Sequence, residues 1–165
     1  MTPPSSAPRY TTRDLPPYSY VPGQHPHPIS DPAGHSHGHS PERAAPLDDA
    51  QWRTNEVWLW AIDLFNHGFY WEAHEAWEGL WHAAGRRGPA ADFLKGLIKL
   101  AAAGVKAHEG RPEGVKLHAA RAAQLLEPSR GHIVFGIGVD ALLTESYRLR
   151  EANSRPWQPF QIWLE

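Results

Sequence analysis

Residues 71 to 82 place histidines and glutamates at helical spacing among tryptophans. His74, Glu78 and His82 follow one another at intervals of four residues, and Glu75 lies beside His74. At 3.6 residues per turn, side chains four residues apart share one face of a helix. An imidazole and carboxylates that converge in this way can bind a divalent metal ion or work as an acid and a base. His74, Glu75 and Glu78 are therefore the candidate ligands of a metal ion or a small polar ligand, with Glu75 and Glu78 as the candidate catalytic groups.

Two further carboxylates extend this candidate metal site. Glu72 lies in the same predicted helix, and Asp63 is the single charged residue between positions 57 and 65. A tight turn at Gly68 would bring the stripe that carries Asp63 beside His74. Both carboxylates also have a structural interpretation. Glu72 can complement the positive end of its helix, and Asp63 can form a salt bridge to a neighbouring arginine.

The same cluster also suits a purely structural role. The segment from His74 to Glu78 lacks the second histidine of the HExxH zinc-protease pattern, because Glu78 occupies that position. Buried networks of polar side chains fix helix packing as well as bind ligands. Two functions therefore stay open. One is a metal-binding or ligand-binding domain with hydrolytic chemistry, and the other is a non-catalytic structural or protein-interaction module.

Composition narrows the class of protein. The 165 residues are 41% hydrophobic and 21% charged, as expected of one soluble domain. A net charge of −2 gives no electrostatic basis for binding nucleic acid or an anionic membrane. The chain has no cysteine, so any metal site must use His, Asp and Glu. No apolar run approaches the ~20 residues of a membrane span, and no signal peptide is evident, so we expect a cytoplasmic protein.

Helical periodicity dominates the chain from residue 47 onward, and no segment shows the alternation of a strand. We predict an all-α fold, a compact bundle of about five helices that begins with antiparallel hairpins. Gly68 is expected to end the first helix in a left-handed conformation. The predicted helices cover approximately residues 48–66, 69–84, 90–108, 112–127 and 139–152.

Residues 1–46 hold 11 of the 16 prolines and few aliphatic residues, which predicts an extended or disordered segment. His35, His37 and His39 within it are a candidate weak metal-binding cluster, although these histidines can equally be incidental. The bundle domain is predicted to span residues 47–155. Residues 156–165 are apolar and are predicted to pack back on the bundle.

Two motifs give the chain a family resemblance. The pattern FNxGxYxEAHExxE begins at Phe65, FLxGLI begins at Phe93, and glycines follow at 110 and 114. Together they resemble the bacterial domain-of-unknown-function family 309, over about residues 57–126. The resemblance implies a small all-helical fold and supplies no activity. Its motif residues correspond to Asn66, Gly68, Glu72, His74, Glu75 and Glu78, of which Asn66 and Gly68 are interpreted as structural.

The resemblance also points to a departure in the third helix. Lys95 and Lys99 stand where the family pattern leads us to expect glutamines, and Lys106 stands where a histidine is common. These lysines are either solvated, or one of them closes onto Glu75 or Glu78 as a counter-charge. Cations in this place favour an anion or a buried ion pair over a metal ion.

Overall fold

The computed structural model of the protein describes residues 6–151 and 157–165. Within these residues the fold is mainly helical, and the prediction of a bundle of about five helices is confirmed. Short 3₁₀ turns lie at Trp52–Thr54 and Glu127–Ser129. The helices are α1 (Glu56–Asn66), α2 (Tyr70–Ala83), α3 (Pro89–His108), α4 (Pro112–Leu126) and α5 (Val139–Glu151).

A small β-hairpin between α4 and α5 was not expected from the sequence. Its strands, β1 (Ile133–Val134) and β2 (Ile137–Gly138), pair antiparallel. Phe135 and Gly136 both have positive φ, 46° and 80°, as a tight two-residue hairpin turn requires. Strands of two residues are too short to show alternation, so periodicity could not reveal them.

The first helix was predicted to begin near residue 48 but begins later, at Glu56. The carboxylate of Asp48 accepts a hydrogen bond from the Ala50 amide at 2.7 Å, but it does so in a turn rather than at a helix start. The cap of α1 is Asn55, whose Oδ1 accepts from the Trp58 amide at 3.0 Å. Asparagine is a strong N-cap residue, and this local bond fixes where α1 starts.

The corner between α1 and α2 turns on Gly68, which has a φ of 83° and confirms the predicted left-handed stop. The Phe69 amide donates to the Leu64 carbonyl at 2.8 Å, and the Gly68 amide donates to the Phe65 carbonyl at 3.1 Å. These bonds satisfy carbonyls that the end of α1 would otherwise leave unpaired. The corner therefore sets the direction in which α2 leaves α1.

One stripe of α2 lies in the core, as its spacing predicts. Tyr70, Ala73, Trp77 and Leu80 are all buried. At Gly104 of α3, an added Cβ would lie 2.4 Å from Cγ of Tyr70. Because only a hydrogen fits there, α3 can approach the start of α2 closely. With this stripe inside, the neighbouring stripe of α2 faces outward.

The N-terminal segment lies on the bundle. Residues 6–46 contain no helix or strand, yet Tyr20 and Val21 are buried, and Cβ of Ala44 lies 3.9 Å from where a Cβ on Gly79 would be. Disorder therefore does not describe residues 6–46. The many prolines restrict φ, which lowers the entropy lost when such a segment is fixed in place.

Residues 157–165 also lie on the bundle, and Asn66 is the residue that binds them. Its Oδ1 accepts from the Ile162 amide at 2.7 Å, and its Nδ2 donates to the Ile162 carbonyl at 2.8 Å. The side-chain amide thus pairs with a backbone peptide group in both directions, a structural role for this motif residue. The outer ends of the predicted segments, residues 1–5 and 152–156, lie outside the described residues.

The length and composition of the helices decide whether one of them could span a membrane. Within residues 6–151 and 157–165, every helix is too short or too polar to cross a lipid bilayer.

Alanine should have opposite effects on the unfolding free energy at two glycines of the α1–α2 hairpin, Gly68 and Gly79. No atom lies within 4 Å of a Cβ built on Gly68, so Gly68→Ala should cost only the left-handed strain, about 1–2 kcal/mol of unfolding free energy. Gly79→Ala, inside α2 with ordinary contacts, should be neutral or stabilise by up to about 1 kcal/mol. Denaturant melts of both variants measure this difference, and equal effects would contradict the proposed turn geometry.

Candidate metal site on the second helix

Three side chains of α2 converge on its outward face. His74, Glu75 and Glu78 each offer one ligand atom, and these atoms all lie within 4.8 Å of one another. Nδ1 of His74 is 3.4 Å from Oε1 of Glu75 and 3.6 Å from Oε2 of Glu78. Among the described residues, no other group of three or more histidines and acids is arranged to hold a metal ion. We call these three residues the α2 cluster.

The central nitrogen of the α2 cluster has no hydrogen bond. Nδ1 of His74 is buried, and in the part of the chain that the structure describes it has no hydrogen-bond partner. Two atoms bound to one tetrahedral ion at about 2.1 Å lie about 3.4 Å apart. The separations around Nδ1 match that spacing. A cation between these atoms would stabilise the arrangement, because it would pair with the lone pairs and balance the two negative charges. The cation can be a proton on Nδ1 or a metal ion.

The α2 cluster is open to solvent. The side chains of His74, Glu75 and Glu78 are 28%, 42% and 37% exposed. A sealed structural network would show much lower values. The two carboxylates are therefore accessible from solvent, whereas the Nδ1 atom between them is covered.

Lys99 of α3 interacts electrostatically with Glu78 of the α2 cluster. Lys99 is half-buried, and its pKa is lowered by burial and by the charges of Lys95 and Arg121, while Glu78 raises it. Among the described residues, Lys99 has no carboxylate oxygen within 4.0 Å. The expectation that a lysine closes onto Glu75 or Glu78 thus holds only as a longer-range attraction. Lys95 places its Nζ 4.1 Å from the centre of the Trp81 ring.

His118 of α4, which the sequence indicates only as a surface residue, interacts electrostatically with His74. It is half-buried, and its pKa is lowered by burial and by the charges of Lys99, Lys106 and His74. Its spacing was the available signal, because it lies three residues after the buried Val115 and four before the buried Ala122, at the edge of the buried face of α4.

A comparison with family models identifies the segment that carries this geometry. Residues 58–117 match the family described as "Domain of unknown function (DUF309)". The chain contains a DUF309 domain. Comparison with curated proteins and with solved structures gave no match. The match includes the whole α2 cluster and both Lys95 and Lys99, and it ends one residue before His118.

Asp63 of the DUF309 domain has partners outside the domain and does not join the α2 cluster. It is fully buried. Its carboxylate accepts from the amides of Tyr10 and Thr11 at 2.7 and 2.9 Å, and from the Thr11 hydroxyl at 2.7 Å. Nε of Arg9 lies 3.3 Å away, so the salt-bridge interpretation of Asp63 is confirmed. Asp63 therefore anchors the N-terminal segment to α1.

Glu72 anchors the same segment to α2 and likewise stands apart from the cluster. Its Oε1 accepts from the Tyr20 amide at 2.9 Å and lies 2.9 Å from Nε2 of His35. Its other oxygen, Oε2, is buried and has no hydrogen-bond partner within residues 6–151 and 157–165. Glu72 therefore has two structural roles. It lies in the first turn of α2, at the positive end of the helix, and it also binds the N-terminal segment.

The predicted cluster of His35, His37 and His39 is not assembled in the structure. His35 pairs with Glu72 and with the Ser36 hydroxyl. Nδ1 of His37 bonds to the Ile29 carbonyl at 2.8 Å, and His39 is exposed. Both ring nitrogens of His35 and Nδ1 of His37 thus have other partners, and the three histidines do not form a group that could hold an ion among the described residues.

The anchoring role of Asp63 predicts a loss of stability when its charge is removed. Asp63→Asn places an amide donor among donors of the N-terminal segment, and it should lower the unfolding free energy by about 2–3 kcal/mol. Asp49→Asn, at an exposed aspartate, should change it by no more than about 0.5 kcal/mol. Denaturant melts measure both, and trypsin cleavage after Arg9 and Arg13 should accelerate in Asp63→Asn alone. Wild-type stability and protection in that variant would exclude the anchor.

Proposed function

We propose that this protein binds a divalent metal ion at the α2 cluster, with His74, Glu75 and Glu78 as ligands. The observation that carries the proposal is the buried Nδ1 of His74, which has no hydrogen-bond partner in the described chain and faces two carboxylate oxygens at 3.4 and 3.6 Å. An ion at that point would satisfy all three groups at once. One imidazole and two carboxylates suit Zn²⁺, Mn²⁺ and Fe²⁺.

The exposure of the cluster supports a hydrolytic use of such an ion. Three protein ligands leave coordination positions for water, and a metal ion makes bound water a nucleophile near neutral pH. Glu75 or Glu78, if it bound such an ion through one oxygen only, would keep its other oxygen free to accept a proton from that water. Both are more than a third exposed, so substrate has access to them.

The competing proposal, a purely structural network, has weaker support at the α2 cluster. Structural carboxylates in this protein look different, because Asp63 and Glu72 are buried and accept backbone N–H groups. Within the described residues, Glu75 and Glu78 have contacts only at ion-pair distances to His74. A network with such loose contacts would contribute little to packing.

Metal titration of the full chain without an affinity tag tests the proposal. Zn²⁺ or Mn²⁺ at 100 times its Kd should stabilise the wild type by about 2.7 kcal/mol. His74→Ala and Glu78→Gln should abolish this gain while changing the metal-free stability by no more than about 1 kcal/mol, because these side chains are partly exposed. Thermal melts and elemental analysis of the purified protein provide the measurements.

Matched controls make that experiment specific. His82→Ala removes an exposed histidine from the same helix, and Glu113→Gln removes an exposed carboxylate from α4. Both should keep the full metal response. His37→Ala with His39→Ala subtracts weak binding by exposed histidines of the N-terminal segment. Absence of any metal response in the wild type, together with a loss of several kcal/mol in His74→Ala, would overturn the metal proposal and favour the structural module.

A further inference from the structure

A serine, a histidine and a glutamate are joined by hydrogen bonds where the N-terminal segment contacts α2. Oγ of Ser36 lies 2.8 Å from Nδ1 of His35, and Nε2 of the same imidazole lies 2.9 Å from Oε1 of Glu72. A nucleophile, a base and a carboxylate that orients the base are connected in this order in serine hydrolases. We call Ser36, His35 and Glu72 the serine triad.

The partners of Glu72 determine which ring nitrogen of His35 carries the proton. Oε1 of Glu72 accepts the Tyr20 amide at 2.9 Å, and an ionised carboxylate can only accept. Nε2 of His35 must therefore be the donor to Oε1. In a neutral imidazole the other nitrogen, Nδ1, then has a free lone pair, and it accepts the hydroxyl proton of Ser36. His35 is thus in the tautomer that a general base for Ser36 needs.

Burial differs along the serine triad. The side chains of His35 and Glu72 are each 6% exposed, whereas Ser36 is partly exposed. Exclusion of water strengthens the interaction between the imidazole and the carboxylate. The base is therefore protected, while the hydroxyl that it would activate can be reached from solvent.

Glu72 has more capacity to accept than its partners use. Its Oε2 is buried and has no hydrogen-bond partner in the described part of the chain. Asp63, which also binds the N-terminal segment, accepts donors on both of its oxygens. The negative charge of Glu72 is therefore less fully compensated than that of Asp63. It can stabilise the imidazolium that forms when His35 takes up a proton.

Contacts within the N-terminal segment hold the base and the nucleophile in place. The rings of Tyr18 and His35 lie 4.7 Å apart, and the Tyr18 hydroxyl accepts from the His35 amide at 3.1 Å. The Ser36 amide donates to the Pro28 carbonyl at 2.9 Å. The backbone on which the two side chains stand is thus fixed at both residues.

We propose that Ser36 is a nucleophile that attacks carboxylic esters, with His35 as its general base and Glu72 as the residue that positions His35. Oγ of Ser36 bonds to the carbonyl carbon while its proton passes to Nδ1 of His35. The bond between that carbon and the alcohol oxygen then breaks, and the alcohol leaves with the proton. Water cleaves the acyl-serine by the same route and releases the carboxylic acid. No metal ion enters these steps, so the activity is independent of the α2 cluster.

Release of p-nitrophenol from p-nitrophenyl acetate by the full chain, with EDTA present, tests the proposal. Ser36→Ala and His35→Ala should each lower the rate at least about tenfold, because a positioned general base contributes about 10²–10⁴-fold and other nucleophiles of the chain supply a background. Two matched controls should leave the rate unchanged. They are Ser30→Ala, at an exposed serine of the same segment, and His37→Ala, at the histidine on the other side of Ser36.

Glu72→Gln tests the positioning role, because it removes the charge and keeps the shape of the side chain. It should lower kcat with little change in KM. Adding His35→Ala to it should cause little further loss, because residues that act as a unit are not additive. Melting curves check that each variant is folded. Ser36→Ala should melt like the wild type, since its side chain bonds only to His35 among the described residues.

Three results would overturn the proposal. Equal rates in the wild type and in Ser36→Ala would show that other groups cleave the ester. A peptide of residues 31–40 has the same histidines around Ser36 but lacks Glu72, and a peptide as reactive as the protein would exclude the triad. Release that EDTA abolishes would assign the hydrolysis to a metal ion at the α2 cluster instead.

Discussion

The structure depends on the cost of burying a carboxylate. An ionised carboxylate inside a protein must be surrounded by donors, because removing it from water costs several kcal/mol. The α1–α2 hairpin contains two such groups, Asp63 and Glu72, and both take their donors from the N-terminal segment. Each hydrogen bond to a charged group contributes about 1.5–3 kcal/mol. A proline-rich segment without helix or strand is thereby held against the bundle.

The same requirement separates the acidic residues of α2 into two kinds. Glu72 is buried and bound by the N-terminal segment, whereas Glu75 and Glu78 are partly exposed and have only His74 as a close partner among the described residues. Spacing in the sequence places all three on one helix and cannot tell which will be covered. What distinguishes them is the presence of donors from another part of the chain. The carboxylates that lack such donors are the ones free to hold an ion.

The features that were predicted correctly from the sequence are those that depend on residues close to one another in the chain. The left-handed turn at Gly68 and the buried stripe of Tyr70, Trp77 and Leu80 follow from residue type and the helical period. The α2 cluster could be proposed for the same reason, since its three members lie within five residues of one helix. Each of these features involves only near neighbours in the chain.

Contacts between distant residues account for what the sequence did not predict. The bonds from Tyr10 and Thr11 to Asp63 span 53 and 52 residues, and the segment that makes them has no periodicity to reveal its position. The pairing of His35 with Glu72 is of the same kind. The charges that lower the pKa of His118 belong to residues of α3 and α2, so the spacing within α4 gives no indication of them.

The anchoring of the N-terminal segment also sets the order in which the chain can become ordered on the ribosome. Residues 9–20 are synthesised before their acceptors, Asp63 and Glu72, which are added about fifty residues later. At about 5–20 residues per second this gap lasts several seconds. During that interval the proline-rich segment is an exposed nascent chain, and it can dock only after the hairpin of α1 and α2 has emerged and closed. This segment is therefore made before the hairpin of α1 and α2 but acquires its native contacts after it.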